Sequence, residues 1–155
     1  MRLEPEALLV DDNPADIALV EEAIAGSAHA CHTHSVMDGE EALAFLRKEG
    51  QYTDTVRPDL IVLDLNLPKK DGCAVLAEMR ASPRLMAIPV VIFSSSSAKA
   101  DIVRSYEMGA NCYVSKPTTL KSFFLAVHAI EDFWFGMANL PKENNGSANN
   151  ERIAD

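Results

Sequence analysis

Residues 57–72 read Arg57-Pro58-Asp59-Leu60-Ile61-Val62-Leu63-Asp64-Leu65-Asn66-Leu67-Pro68-Lys69-Lys70-Asp71-Gly72. From Leu60 to Leu63 the run is apolar without interruption and is bounded by turn residues. That is the pattern of a strand covered on both faces of a parallel sheet. Asp64 ends the run. A carboxylate at the C-terminal tip of a central strand adds nothing to packing, and this edge of an open α/β sheet is where ligands bind. Pro68 and Gly72 turn the chain into the next helix, which leaves Asp64 at the mouth of a loop. Taken alone, Asp64 reads as a strand-end cap; what gives it another meaning is the set of partners the rest of the chain supplies.

Upstream, Ala7 to Val10 is a second apolar strand run, and it ends in Asp11-Asp12. Asn13-Pro14 then makes a good helix start. Ile17, Val20 and Ile24 recur at helical spacing, and Gly26 fits a stop. Residues 30–35 form a weak strand whose alternation puts His32 and His34 on one face. Two histidines at that spacing can begin a metal site, but no third ligand lies nearby, and a polar face on an edge strand is the simpler reading. Asp38 to Glu41 resembles a capping box and opens a second helix through Lys48, closed by Gly50.

Downstream, 72–81 is a third helix with Val75, Leu76 and Met79 inward, stopped by Ser82-Pro83. A fourth strand, 88–93, ends at Ser94. A helix over 98–108 follows, with Ile102 and Tyr106 expected inward. The fifth strand, 111–115, ends at Lys116-Pro117. A long fifth helix from Thr118 or Thr119 carries Leu120, Phe123, Val127, Ile130 and Trp134. Five strands alternating with five helices, joined by right-handed crossovers, imply a doubly wound parallel sheet with helices on both faces.

The composition sets bounds. The 155 residues suffice for one domain with a full core, and 48% hydrophobic with 24% charged residues is ordinary for a globular protein. A net charge of −9 argues against nucleic acid or an anionic membrane as partner. Cys31, Cys73 and Cys112 are far apart in sequence and read as buried thiols in a reducing cytoplasm. The apolar run near the N-terminus is too short for a signal peptide, and no stretch approaches a membrane span.

Every candidate polar group falls at a strand tip: Asp11 and Asp12 on the first, Asp64 on the third, Ser94 on the fourth, Lys116 on the fifth. Carboxylates crowded into one pocket raise each other's pKa unless a cation intervenes. A hard divalent ion such as Mg²⁺ answers that need. With a hydroxyl and an ammonium added, the set suits a tetrahedral phosphoryl group.

The segments VDDN (10–13), LIVLDLNLPKKDG (60–72), PVVIFSSS (89–96) and ANCYVSKP (110–117) closely resemble the receiver domain of two-component response regulators, in order and at the family's spacing. The resemblance runs from about Ala7 to Phe135. It implies a flavodoxin-like sheet in the order 2-1-3-4-5, a single receiver domain over 1–135, and a C-terminal extension over 136–155 with no effector domain. It also implies Asp64 as phosphoacceptor and Mg²⁺ held by Asp11, Asp12, Asp64 and the carbonyl of Asn66. Ser94 and Tyr113 match the switch positions, and Lys116 the family's lysine. In relatives the bond corresponding to Lys116–Pro117 is typically cis. The implied activity is acceptance of a phosphoryl group from a phosphohistidine kinase, with only self-catalysed transfer and slow autodephosphorylation.

The FW…LP ending and LPKKDG further resemble stand-alone receivers that partner phytochrome histidine kinases, which dimerise through helix four, strand five and helix five. Three successive aromatics, Phe133 to Phe135, cannot all face one sheet, since helical residues step by about 100°. Phe124, His128 and Phe135 are therefore expected at a homodimer contact. The Asn-rich segment from 142 reads as disordered by composition. Rival readings fare worse. There is no G-x-x-x-x-G-K-[ST] loop for a nucleotide hydrolase. Asn66 stands where an aspartate phosphatase needs a second Asp, and the acidic mouth repels a flavin or nucleotide phosphate. A phosphorylation-independent interaction module of the same fold remains the alternative.

Overall fold

A computed structural model describes residues 4–141; the tail expected to be disordered lies outside the described residues. The chain builds β1 (Glu6–Val10), α1 (Pro14–Ala25), β2 (His32–Val36), α2 (Gly39–Arg47), β3 (Leu60–Leu63), α3 (Gly72–Ala81), β4 (Val90–Ser94), α4 (Lys99–Glu107), β5 (Cys112–Ser115) and α5 (Leu120–Glu131). The strands form one parallel sheet in the order β2-β1-β3-β4-β5, as expected.

Each face of the sheet has its own core. Leu8, Val10, Ile61, Leu63 and Ile92 meet Phe45 of α2 and Val75, Leu76 and Met79 of α3 on one side. Leu9, Leu60, Val91 and Phe93 meet Ile17 and Val20 of α1 and Phe123, Val127 and Ile130 of α5 on the other. Burying each such side chain stabilises the fold by roughly 1.5–3 kcal/mol. The helix starts follow local chemistry. Asn13 caps α1, Asp38 caps α2, Asp71 caps α3 and Thr119 caps α5, each side chain accepting a backbone N–H of the first turn.

The register decides where the strand tips lie. Val10 pairs with Leu63, and Asp64 N–H donates to the Val10 carbonyl at 2.9 Å. Asp11 and Asp64 therefore leave the sheet side by side. Ser94 pairs with Ser115, and Lys116 N–H donates to the Ser94 carbonyl at 2.8 Å, which brings Lys116 to the same edge.

Several expectations need correction. Tyr106 is 48% exposed, not inward. α4 lies beside the last strand, where there is little sheet to cover; Ser105 is its buried residue, and the Ser105 hydroxyl donates back to the Asp101 carbonyl. α2 ends at Arg47, with Lys48 in the left-handed region. The Lys116–Pro117 bond is trans, there being no cis peptide bond among the described residues. The two isomers of an X–Pro bond differ by only about 0.5–1 kcal/mol, so local sequence does not fix the choice. Cys31 and Cys112 are only partly buried, and Cys73 is buried.

α5 does not simply run on through the aromatics. Asp132–Met137 forms a π-helical turn. Its extra residue per turn shifts the phase of the helix. Trp134 and Phe135 both pack against the α1/α5 core, while Phe133 is exposed.

Candidate functional site

The site is built on the loops at the C-terminal sheet edge. Asp11 and Asp64 are buried there, and Asp12 is exposed. A carboxylate oxygen from each of the three lies within 4.8 Å of the others. Two turns hold the acids in place. Asn13 N–H donates to Asp11 Oδ1 at 2.9 Å, and Asn66 N–H donates to Asp64 Oδ1 at 3.2 Å. Both are side-chain turns two residues long, the habit of an Asp at a loop start.

Lys116 supplies the cation. Its side chain is buried, and Nζ donates to Asp11 Oδ2 at 2.6 Å, Asp16 Oδ2 at 2.8 Å and Asp64 Oδ2 at 3.0 Å. Burial pulls the ammonium pKa down, but the carboxylates of Asp11, Asp16 and Asp64 more than offset that and hold it above the ordinary lysine value. For Asp11, burial pushes the carboxyl pKa up; the Lys116 ammonium and the Asn13 N–H oppose the rise without cancelling it. One ammonium thus faces more carboxylate than it neutralises. The all-oxygen, three-acid set fits a hard divalent cation, which would relieve that excess.

Ser94 is buried at the tip of β4. Its Oγ accepts the Ser96 N–H at 3.3 Å. The Ser96 carbonyl in turn accepts the Tyr113 hydroxyl at 2.8 Å. Tyr113 is partly buried against the α2/α3 core, and its N–H donates to the Tyr106 hydroxyl at 3.1 Å. The β4–α4 loop therefore links Ser94 to Tyr113.

The expected residues Asp11, Asp12, Asp64, Asn66, Ser94 and Lys116 converge on one edge. One contributor was not anticipated, and a second, Gly72, reads in the sequence only as a turn. Asp16, from the first turn of α1, reaches Lys116; a third carboxylate one helical turn after an acidic pair was the available signal. Gly72 packs directly on the backbone of Asp64 and Leu65: a Cβ there would lie 2.8 Å from Leu65 Cα and closer still to the Asp64 carbonyl oxygen. Its N–H donates to the Leu65 carbonyl at 2.9 Å.

The other candidates lie apart from this edge. His32 and His34 converge on Glu6, at 3.0 and 2.8 Å, and His32 also meets Glu4 at 2.8 Å. His128 Nε2 donates to the Ala23 carbonyl of α1 at 2.9 Å, and Phe124 packs partly against the chain's own core. Among the described residues no helix is long and apolar enough to cross a membrane.

The chain belongs to the response regulator receiver domain family, whose model matches residues 7–128. Among individual proteins it is 46% identical to the response regulator Rcp1 of Synechocystis sp. over 134 residues, which cover 86% of this chain and 91% of that one. Its fold superposes on the phosphorylated cyanobacterial phytochrome response regulator RcpA with a TM-score of 0.87 at 48% identity, covering 90% of this chain and all of that one (100%). Against the Mn²⁺-bound form of Rcp1 the TM-score is 0.85 at 44% identity, covering 89% and 99%.

Proposed function

We propose that this receiver accepts a phosphoryl group on Asp64 from a phosphohistidine of a partner sensor kinase. The observation that carries this reading is the meeting of Asp64 with Asp11, Asp12 and Lys116 at one strand edge. An Asp64 oxygen attacks phosphorus; the P–N bond breaks and its electron pair stays on the histidine nitrogen. Such transfer needs mainly positioning and charge stabilisation. A Mg²⁺ ion held by Asp11, Asp12, Asp64 and the Asn66 carbonyl would neutralise charge on the phosphoryl oxygens. Lys116 donates a hydrogen bond to another of those oxygens. The chain turns over only its own acyl phosphate.

The acyl phosphate adds a charge of roughly −1.5 to −2. Ser94 donates its hydroxyl to it, and this shift frees Tyr113 to leave the Ser96 carbonyl and turn inward. The local charge then biases a two-state element, the surface of α4, β5 and α5. Relatives described as phytochrome response regulators support a phytochrome-type kinase as the donor. A cytoplasmic location fits that partner. The receiver domain spans 1–135 and 136–155 forms an extension.

A second copy of this chain is the proposed partner on α5. Leu120 and Leu125 of α5 and Phe133 and Met137 of the π-helical turn after it are exposed, whereas of the expected contact residues Phe124 and Phe135 pack against the chain's own core and His128 bonds to α1. An apolar groove of about 530 Å³ lies alongside, lined by Cys112, Val114, Ala126, Ile130, Phe133 and Trp134 among others.

The test of the phosphoacceptor is labelling with acetyl phosphate and Mg²⁺. Wild type incorporates one phosphoryl group and Asp64→Asn none; equal labelling of the two refutes the assignment.

A further inference from the structure

We propose that Asp16 is a positioning residue for the phosphoryl site: it fixes the Lys116 ammonium so that one N–H is aimed at the oxygen bound at Asp64. This role rests on the phosphoacceptor reading above and names a residue that the reading does not use.

An ammonium has three N–H donors and no acceptor. All three are engaged here, with Asp11 at 2.6 Å, Asp16 at 2.8 Å and Asp64 at 3.0 Å. The three acceptors differ in what phosphoryl transfer does to them. Asp64 becomes the acyl phosphate, and its donor passes to a phosphoryl oxygen. Asp11 belongs to the acid trio, so a cation there competes for its oxygens. Asp16 lies outside that trio and keeps its full acceptor strength throughout.

Its place in the fold suits an anchor. Asp16 stands in the first turn of α1, and its N–H donates to the Asn13 cap at 3.3 Å. The side chain is 23% exposed, so its contact with Lys116 is half-sheltered from water. It joins residues 100 apart in sequence. Lys116 reaches the site on a flexible four-carbon stem, and a charge-assisted bond to a helix-borne carboxylate removes that freedom.

The alternative role for Asp16 is pure charge: a further anion that repels the incoming phosphoryl group. Two variants separate the roles. Asp16→Asn and Asp16→Ala both delete the charge, but Asn keeps an acceptor oxygen. The probe is beryllium fluoride, a phosphoryl mimic, titrated with saturating Mg²⁺. Positioning predicts that Ala weakens its binding about tenfold, the scale of one lost bond to a charged group, and Asn less than about threefold.

A second readout is the ¹⁵N signal of the Lys116 ammonium in the protein without phosphoryl ligand, which needs slow proton exchange. It is expected in wild type and Asn and lost in Ala. Amide spectra of the variants establish that the fold is intact. If Ala and Asn bind the mimic equally, whether both weaker, both stronger or both unchanged, the positioning role is overturned. If wild type itself does not bind the mimic, the phosphoacceptor reading fails and takes this role with it.

Discussion

Glu131 carries chemistry that the proposed phosphoryl site does not use. It is 2% exposed, and its Oε1 has no hydrogen-bond partner. Ser27 Oγ lies 3.0 Å from Glu131 Oε2 and 3.0 Å from the His29 carbonyl, and it accepts the His29 N–H at 3.1 Å. One hydroxyl proton serves one of those two acceptors. Both contacts are good only if Glu131 carries a proton and donates to Ser27. Burial pushes its pKa above the ordinary 4.5; Ser27, His128 and His29 oppose that rise without cancelling it, and Asp132 adds to it.

The direction of the pH effect follows. Above 4.5 the unfolded chain gives up this proton while the folded chain keeps it. Glu131 therefore contributes its full stability below that pH, and the contribution is lost as pH rises through the folded pKa. Glu131→Gln is neutral at every pH. The difference in urea midpoint, wild type minus Gln, should fall as pH rises above 4.5; a difference that stays flat refutes the protonated Glu131.

At the scale of elements, the loop from β3 to α3 sets the reach of Asp64. Gly72 begins α3 against the backbone of Asp64 and Leu65, where a Cβ finds only main-chain atoms to displace. Backbone does not yield as the end of a flexible side chain does. Gly72→Ala should cost about 1–3 kcal/mol, the usual scale of overpacking. It should also slow labelling by acetyl phosphate, because Asp64 moves with its carbonyl. Unfolding in urea and labelling rate check the two parts. An Ala variant with unchanged stability and rate would show that the close approach is not needed. The same scale explains Tyr106. Its helical spacing was readable, but whether α4 had sheet to cover depended on its place beside the last strand.

At the scale of the whole molecule, α1 and α5 cover the core on one face of the sheet, and the outer side of α5 exposes Leu120 and Leu125 beside Lys121 and Ser122. The π-helical turn carries Phe135 onto the monomer's own core and leaves Phe133 exposed. Association through α5 should therefore depend on Leu125 and Phe133. Sedimentation of wild type should give a dimer, and the double variant Leu125→Ser with Phe133→Ser a folded monomer. A wild type that stays monomeric at all concentrations sinks the dimer. Phe135→Ala, by contrast, should destabilise the fold, since it removes a side chain packed against the core of Leu9, Val20 and Ile130.

The sequence by itself determined the element order, the parallel sheet and the residues at its tips. Apolar runs, helical spacing, caps and prolines are local signals, and four motifs in order added the family. Asp11, Asp12, Asp64, Ser94 and Lys116 were legible for that reason. The tertiary structure alone decided the rest: that Asp16 meets Lys116, that Gly72 lies on Asp64, that Pro117 follows a trans bond, that Phe135 turns inward and that Glu131 is buried beside Ser27. Most of these depend on which elements become neighbours and at what separation. Contacts between residues far apart along the chain leave no periodic trace in it.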